Sequence, residues 1–498
     1  MDRREFVKDT SAAFAGVTIL KFPVFGKNAP SNKVILAAMG VNSRGAYLAK
    51  SFASLPNVEV AYICDVEEKA IQNGLDAVKD ATRKPTVVKD IRQLLTKKDF
   101  DALLIATPDH WHAPAAILGV SHGKHVYVEK PCGHNPYEGE LISQAFHKHG
   151  KLIQMGNQRR SMPTLIDAVQ QVRNGAIGNP YFAKAWYTNN RKSIGYGKKI
   201  PVPSTLDFNL WQGPAPRKAY LDNLVHYNWH WFWHWGTGEA CNNGTHELDC
   251  CRWFLGVDYP TKVTSAGGRY AYKDDWETPD TQVASFEFGK QKSIAWESRS
   301  CNNFPVEGAG RGFVIYGDKG ALLNKGGGDY TIFDDKNKVV KEVKSEVEAD
   351  PNNPVSASGN LDLYHFNNFI EGIRGNTKIN SPVDEASKSI LLCHLANIAQ
   401  RTGRTLHCDA TNGHILNDND AMKLWRRTYE AGWEPRVKGT RHKAQGTRHK
   451  VQGARKVQDL RAKETRNRSK YKIFDSLPCL SFLGLWCLSL ESYLCLVP

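Results

Sequence analysis

The turn GVNSRG, residues 40 to 45, has the residue types and spacing of a phosphate cradle. Glycine at each end lets the backbone double back, and the helix start that follows offers unpaired N–H groups and a positive dipole end to a pyrophosphate. Gly40, Asn42, Ser43, Arg44 and Gly45 are therefore candidate cofactor contacts. Asn42 stands where the G-x-G-x-x-G fingerprint has its middle glycine. Asparagine tolerates a left-handed backbone well, so the loop shape is expected to survive. Asp65 lies 20 residues beyond Gly45, where a carboxylate binds the adenosine ribose hydroxyls and repels a 2′-phosphate. The expected cofactor is NAD rather than NADP.

These residues need a strand before the turn and a helix after it. KVILAAMG reads as a buried strand, SRGAYLAKSFASL as a helix and VEVAYICD as a second strand, the opening of a parallel βαβ unit. DFDALLIATP, HAPAAILGVSHG and KHVYVEKP continue the alternation, which implies a doubly wound parallel sheet over residues 31–155. Ligands bind at the carboxyl ends of such strands. ATPDHWH and VEKP thus bring Thr107, Pro108, His110, His112, Glu129 and Lys130 to one crevice. A lysine after a buried strand can carry a lowered pKa and exchange protons with a substrate.

From residue 156 to 436 the pattern changes. PYFAKAWYT, TQVASFEFG, KSIAWESRS and GFVIYGD alternate apolar and polar residues, as strands with one solvated face do. The expectation is an α+β domain with a large, mostly antiparallel open sheet. NLDLYHFNNFIEGIRG and EASKSILLCHLANIAQRTG read as late helices that close this domain or pack back on the first.

GVNSRG, ATPDHWH, GKHVYVEKP, GNQRR and NNGTHELD, in that order, resemble the Gfo/Idh/MocA oxidoreductases over residues 31–436. The resemblance implies a Rossmann domain paired with an α/β domain whose open sheet covers the nicotinamide. It also implies oxidation of sugar or cyclitol hydroxyls. Carried over by position, Lys130 is the E-K-P lysine beside the reacting hydroxyl and His246 is the histidine of the second domain. Gln158 is placed with the cofactor, and Arg159 and Asn242 with the substrate. Many relatives have aspartate where this chain has Asn242. Asparagine orients a hydroxyl but takes no proton, so acid/base work falls on Lys130 and His246. The local sequence agrees, because His246, Asp249, Cys250 and Trp253 share one helix face. Asp249 there either fixes the imidazole tautomer or caps the first turn.

WHWFWHWGTGE, residues 229 to 239, carries four tryptophans and two histidines. As an extended strand it would send the tryptophans to one side and His230, Phe232 and His234 to the other. It is expected to wall a sugar pocket, with Trp235 the residue nearest His246 and in contact with the sugar. No metal is expected. His110/His112 and His230/His234 lack zinc-type spacing, and no G-x-S-x-G nucleophile elbow is present.

The chain ends add context. Arg3 and Arg4 before an apolar run resemble a twin-arginine export signal, so residues 1–30 are expected to be a leader and the protein periplasmic or otherwise exported. That route carries folded proteins, which suits a tightly held cofactor. The net charge of +15 is concentrated in residues 437–498, which hold 13 Lys/Arg against 4 Asp/Glu. That segment repeats GTRHKAQ, GTRHKVQ and GARKVQ and ends in an apolar stretch too short and interrupted to span a bilayer, so it reads as a disordered tail. Neither a nucleic-acid partner nor a stable membrane span is expected. Subunits are expected to pair through the open sheet. The sequence supports an NAD-dependent oxidoreductase acting on a hydroxyl of a sugar, glycoside or cyclitol. A redox-neutral NAD-dependent glycoside hydrolase and a non-catalytic sugar-binding protein stay open as alternatives.

Overall fold

The computed structural model describes residues 17–19, 33–81, 83–345 and 359–437. Apart from Val17–Ile19 and Val437, the proposed export leader and basic tail lie outside the described residues.

Six strands form the first sheet: β1 (Val34–Met39), β2 (Val58–Cys64), β3 (Thr86–Val88), β4 (Ala102–Ile105), β5 (His125–Val128) and β6 (Ile153–Met155). All pair in parallel, in the order β3-β2-β1-β4-β5-β6. The central strands are continuous apolar runs, because helices cover both faces of a parallel sheet; β4 is buried at every residue. Helices α1 (Arg44–Ala53), α2 (Glu68–Ala77), α3 (Asp109–Ser121) and α4 (Pro136–His149) make the crossovers. Strand order reverses between β1 and β4, which opens a crevice at their carboxyl ends.

The second sheet is built from β7 (Pro180–Asn190), β8 (Lys262–Gly268), β9 (Thr281–Phe288), β10 (Lys292–Arg299), β11 (Cys301–Asn302), β12 (Arg311–Gly317), β13 (Gly320–Asn324), β14 (Tyr330–Asp334), β15 (Val339–Lys344) and β16 (Leu406–His407). Its order is β15-β14-β13-β12-β7-β10-β9-β8-β16, with β11 on β7 and Val17–Ile19 alongside β15. Pairing is antiparallel except between β7 and β10 and between Val17–Ile19 and β15. The alternation expected of a one-sided sheet is clear in β9, where Gln282, Ala284 and Phe286 are buried and Val283 is 54% exposed.

The longer helices of the rest of the chain are α5 (Pro163–Arg173), α6 (Thr245–Leu255), α7 (Asp362–Ile373) and α8 (Val383–Thr402). The packing core of the first sheet does not close at residue 155. Phe366 and Phe369 of α7 sit among Phe52 and Tyr127, with ring centroids 4.8 Å apart for Phe52 and Phe366. Helix α8 is buried on nearly every side. Val383, Ala386 and Ile390 pack on the first domain, while Leu392, Leu395 and Ala396 pack beneath the second sheet. A helix shared by two cores holds the sheets at a fixed relation, which the site between them requires. Among the described residues no helix is long and apolar enough to cross a membrane. The eight described cysteines are unpaired and, Cys301 apart, buried as small apolar side chains.

Candidate active site

The site is built where β1, β2, β4, β5 and β6 end and α6 faces them. Gly40 has a left-handed backbone, φ 78°, and a Cβ on it would lie 2.7 Å from the amide nitrogen of Thr107. A Cβ on Gly45 would lie 1.8 Å from the carbonyl oxygen of Gly40. Both glycines are thus required for loop and helix to meet. Asn42 is not left-handed: among the described residues, positive φ outside glycine occurs only at Asn57, Glu307, Asn337 and Asn417. Its backbone and side-chain oxygens instead accept from Asn73 of α2. That corrects the expected reason for asparagine here, which is a strap to the next helix rather than backbone tolerance.

Ser43 is the exposed N-cap of α1 and spends no side-chain hydrogen bond on the helix. Asp65 accepts from the amides of Val41 at 2.7 Å, Val66 at 2.7 Å and Glu67 at 3.2 Å, which ties the end of β2 to the glycine turn. Burial raises its carboxyl pKa against those donors. Two groups at the neighbouring strand ends are buried without partners: the hydroxyl of Thr107 after β4 and both amide atoms of Asn157 after β6. A close-packed glycine cradle, a helix start with free capping capacity, a ribose-side carboxylate and orphaned polar atoms together fit a dinucleotide.

Arg44 does not reach outward. Its guanidinium donates to Glu129 at 2.8 Å and to Asp362 at 3.0 Å. Glu129 also accepts from Gln158 at 3.3 Å, and Gln158 donates to the Tyr127 hydroxyl at 3.0 Å. These three expected cofactor contacts therefore form a buried strut joining α1, β5 and α7. Pro108 caps α3. His110 is fully buried, its Nε2 donating to the carbonyl of Trp211 at 3.0 Å. The ring nitrogens of His112 sit 2.6 and 2.7 Å from the carbonyl oxygens of Pro131 and Thr107. Both were expected to meet the cofactor. The structure corrects this, because each ring nitrogen that bonds is spent on backbone, so the two histidines brace the strand ends.

Lys130 is one of the charges that act on His246. The Lys130 ammonium donates to Asn242 Oδ1 at 3.0 Å. Burial lowers its pKa from the ordinary lysine value, against the opposing pull of Glu129 and Asp109. His246 opens α6, is half-buried, and has no hydrogen-bond partner among the described residues. Burial, with Arg311, Lys130, Arg159 and Arg44 around it, drives its pKa well below the usual histidine range. The imidazole is thus a neutral acceptor beside a lysine that releases its proton more readily than normal.

Asn242 owes its orientation to Glu239, which sequence reasoning missed. Glu239 accepts from Asn242 Nδ2 at 3.3 Å, Asn243 at 2.5 Å, Arg191 Nε at 2.9 Å and the Ser300 hydroxyl at 3.0 Å. A carboxylate only accepts, so it holds the amide nitrogen and turns Oδ1 toward Lys130. The available signal was spacing: Glu239 precedes Asn242 by three residues on a helical segment, Ala240–Gly244 being a π-type turn that runs into α6. Arg159 is 4% exposed and pairs with Glu247 at 2.9 Å, and Glu247 is shared with Arg311 at 2.9 Å.

Asp249 neither fixes the His246 tautomer nor caps its helix. Arg160 donates to it twice, at 2.8 and 2.7 Å, and Ser389 once, at 2.6 Å. Burial opposes ionisation, but Arg160 holds the carboxyl below the usual range. Asp249→Asn breaks this buried pair and is expected to cost about 3–5 kcal/mol of stability, measured by denaturant unfolding at pH 7. Because the folded pKa is depressed, the contribution is present above the unfolded value of about 3.9 and is lost as pH falls toward the folded one. The difference between wild type and variant therefore shrinks in acid.

The tryptophan run is not extended. Asn228–Trp231 form a 3₁₀ turn, and Trp235 and Gly236 donate back to the Phe232 carbonyl. Partners distant in sequence override the alternation: Trp231 stacks on Trp276 at 3.9 Å, and Trp235 packs edge-on against Trp211 at 5.0 Å and His110 at 5.3 Å. Trp235 is 3% exposed, so it buttresses the site and is not the surface a sugar meets. His230 and His234 bond to different carbonyls, and no three metal-ligating side chains gather among the described residues.

A six-stranded Rossmann sheet with a nucleotide cradle, joined to a large mostly antiparallel sheet domain that carries His246, is the architecture of a dinucleotide-binding protein. A family model described as oxidoreductase family, NAD-binding Rossmann fold, matches residues 36–157, and its C-terminal alpha/beta domain matches residues 182–272. The chain belongs to the Gfo/Idh/MocA oxidoreductase family, and its cofactor is NAD. A glycosyl hydrolase family 109 protein of Saccharopolyspora erythraea is 30% identical over 172 residues, 33% of this chain and 37% of that protein. An alpha-N-acetylgalactosaminidase of Shewanella oneidensis is 29% identical over 209 residues, 37% of this chain and 45% of that protein. The chain thus spans less than half the length of the curated relatives it matches. Among solved structures, the WlbA dehydrogenase from Bordetella pertussis in complex with NADH and UDP-GlcNAcA has TM-score 0.56 at 18% identity, covering 76% of this chain and 99% of that one. An oxidoreductase from Agrobacterium radiobacter in complex with NAD+, L-tartaric acid and magnesium has TM-score 0.56 at 15% identity, covering 76% and 98%. At these identities the likeness is one of fold.

Proposed function

We propose that the chain oxidises a hydroxyl of a sugar, glycoside or cyclitol with tightly held NAD, Lys130 and His246 handling the hydroxyl proton. The observation that carries this reading is the Lys130 ammonium, held by Asn242 Oδ1 at 3.0 Å and one of the charges that surround the His246 imidazole. NAD, when bound, supplies the hydride acceptor. Lys130 gives up a proton at low cost because it is desolvated, and the bare Nε2 or Nδ1 of His246 accepts one. Asn242 positions Lys130 and takes no proton.

A second reading has specific support from the curated relatives named as glycosyl hydrolases. In it the hydroxyl is oxidised only transiently, the aglycone is eliminated and the product is reduced again. An exported location reached with NAD already bound, and pairing of subunits through the open sheet face, belong to the same proposal.

The test uses full-length protein with free sugars, cyclitols and p-nitrophenyl glycosides, the α-N-acetylgalactosaminide included. Net NADH formation from a free sugar supports the dehydrogenase, and nitrophenol release without net NADH selects the hydrolase. Sugar binding without turnover, unaltered in Lys130→Ala, sinks both. Asn242→Asp places a carboxylate beside the ammonium and raises the Lys130 pKa. Since the base form of Lys130 is the active one, the acid limb of kcat/KM is expected to move to higher pH.

A further inference from the structure

We propose that the substrate of this site carries a carboxylate, as a uronic acid or uronide does, and that Arg311 holds it. The proposal rests on the sugar-hydroxyl reading above and deepens it by naming the substrate class.

Arg311 opens β12 and is paired with Glu247, the residue after His246 on α6. Its guanidinium spends one edge on that carboxylate, Nε donating to Oε1 at 2.9 Å and Nη2 to Oε2 at 3.3 Å. The other edge, Nη1 with the second hydrogen of Nη2, bonds to no described residue, and the side chain is 21% exposed. The ring of Tyr187 lies 5.3 Å from the guanidinium carbon and packs against the fork. A fork held on one edge and open on the other matches the two oxygens of a carboxylate.

The charges around Glu247 ask for that partner. Glu247 is fully buried and divided between two guanidiniums, Arg311 Nε and Arg159 Nη2 each lying 2.9 Å from the same Oε1. Arg159 Nη1 is buried with no partner among the described residues. The other guanidiniums of the site have at least one carboxylate each: Arg44 pairs with Glu129 and Asp362, Arg160 with Asp249 and Arg191 with Glu239. Next to His246, therefore, one positive charge lacks its carboxylate. Arg311 and Arg159 both act on the imidazole and help hold it neutral. A neutral sugar that displaced water from this place would leave the surplus charge desolvated and unpaired, whereas a sugar acid neutralises it. The cofactor phosphates are not the missing anion, because their cradle, Gly40 to Gly45, belongs to the first sheet and Arg311 to the second.

The experiment uses full-length, NAD-loaded protein and matched pairs: glucose with glucuronate, galactose with galacturonate, and the p-nitrophenyl glucosides with the glucuronides. Hexose sulfates stand as a second kind of anion. Calorimetric titration reads binding, and absorbance of reduced nicotinamide or nitrophenol reads kcat/KM. The expected result is that at least one uronate binds about tenfold or more tighter than its hexose and exceeds it by about 10²-fold in kcat/KM. Arg311→Gln reduces that preference to below about threefold, and Arg311→Lys, which keeps the charge and loses the fork, retains part of it. Added salt weakens uronate binding and not hexose binding. Thermal unfolding checks that each variant folds; where Arg311→Gln does not, Arg311→Lys and the salt dependence decide. Equal binding of hexose and uronate by wild type, a preference that survives Arg311→Gln, or tighter binding of the sulfates than of the uronates each overturn the assignment. Because titration needs no turnover, the two readings fail separately. Wild type that oxidises hexoses and uronates alike overturns the subsite and leaves the oxidoreductase reading intact. Wild type that prefers uronates in titration but turns none over upholds the subsite and defeats that reading.

Discussion

Replacing Lys130 with methionine lowers kcat by about 10²- to 10⁴-fold, the range removal of a positioned acid–base group produces. Methionine keeps much of the apolar stem, so the loss reports the titrating amine and not a cavity. The physical reason lies in the pairing: burial makes the Lys130 proton labile, and Asn242 Oδ1, 3.0 Å away, fixes where it points. Without the ammonium, Asn242 keeps its place because Glu239 still holds its nitrogen. The variant is therefore expected to fold and to retain NAD. Single-turnover kinetics on NAD-loaded protein, with the nucleotide content measured on the same sample, checks both halves.

The second large effect is structural. Gly45→Ala forces a Cβ to within 1.8 Å of the Gly40 carbonyl oxygen. The obstacle is backbone, so no side-chain rotation relieves it, and the turn must open. Opening it separates α1 from the strand ends and pulls Val41 away from Asp65. Overpacking of this kind costs on the order of 3 kcal/mol, which if taken wholly from the bound state is about a hundredfold in NAD affinity. Calorimetric titration with NAD measures it. Affinity within threefold of wild type would show that the turn has slack that the close approach denies.

Much of this was legible in the sequence, for identifiable reasons. Strand–helix alternation and the period-two pattern of β9 report burial directly, so both sheets could be read from residue order. Lys130 and Asp65 were placed by the rule that strand carboxyl ends hold ligands, and His246 by the family resemblance. What escaped depends on partners remote in sequence. The coil of residues 228–236 is dictated by Trp276, Trp211 and His110, which no local periodicity announces. Arg44, Glu129 and Gln158 looked like ligand contacts individually, yet Asp362, more than 300 residues downstream of Arg44, turns them into a strut. Glu239 was silent because its work is done on Asn242 and not on the substrate. Asp249 stands on the right helix face, but Arg160 and Ser389 claim it first.

The central claim is that Lys130 and His246 oxidise a sugar hydroxyl against NAD held at the strand ends. It is tested most directly by mixing NAD-loaded full-length protein with the sugar and glycoside panel in a single turnover and following reduced-nicotinamide absorbance. The account predicts a rise with at least one sugar, glycoside or cyclitol, absent in Lys130→Met. No rise with any of them in protein shown to carry NAD, or an equal rise in Lys130→Met, contradicts it.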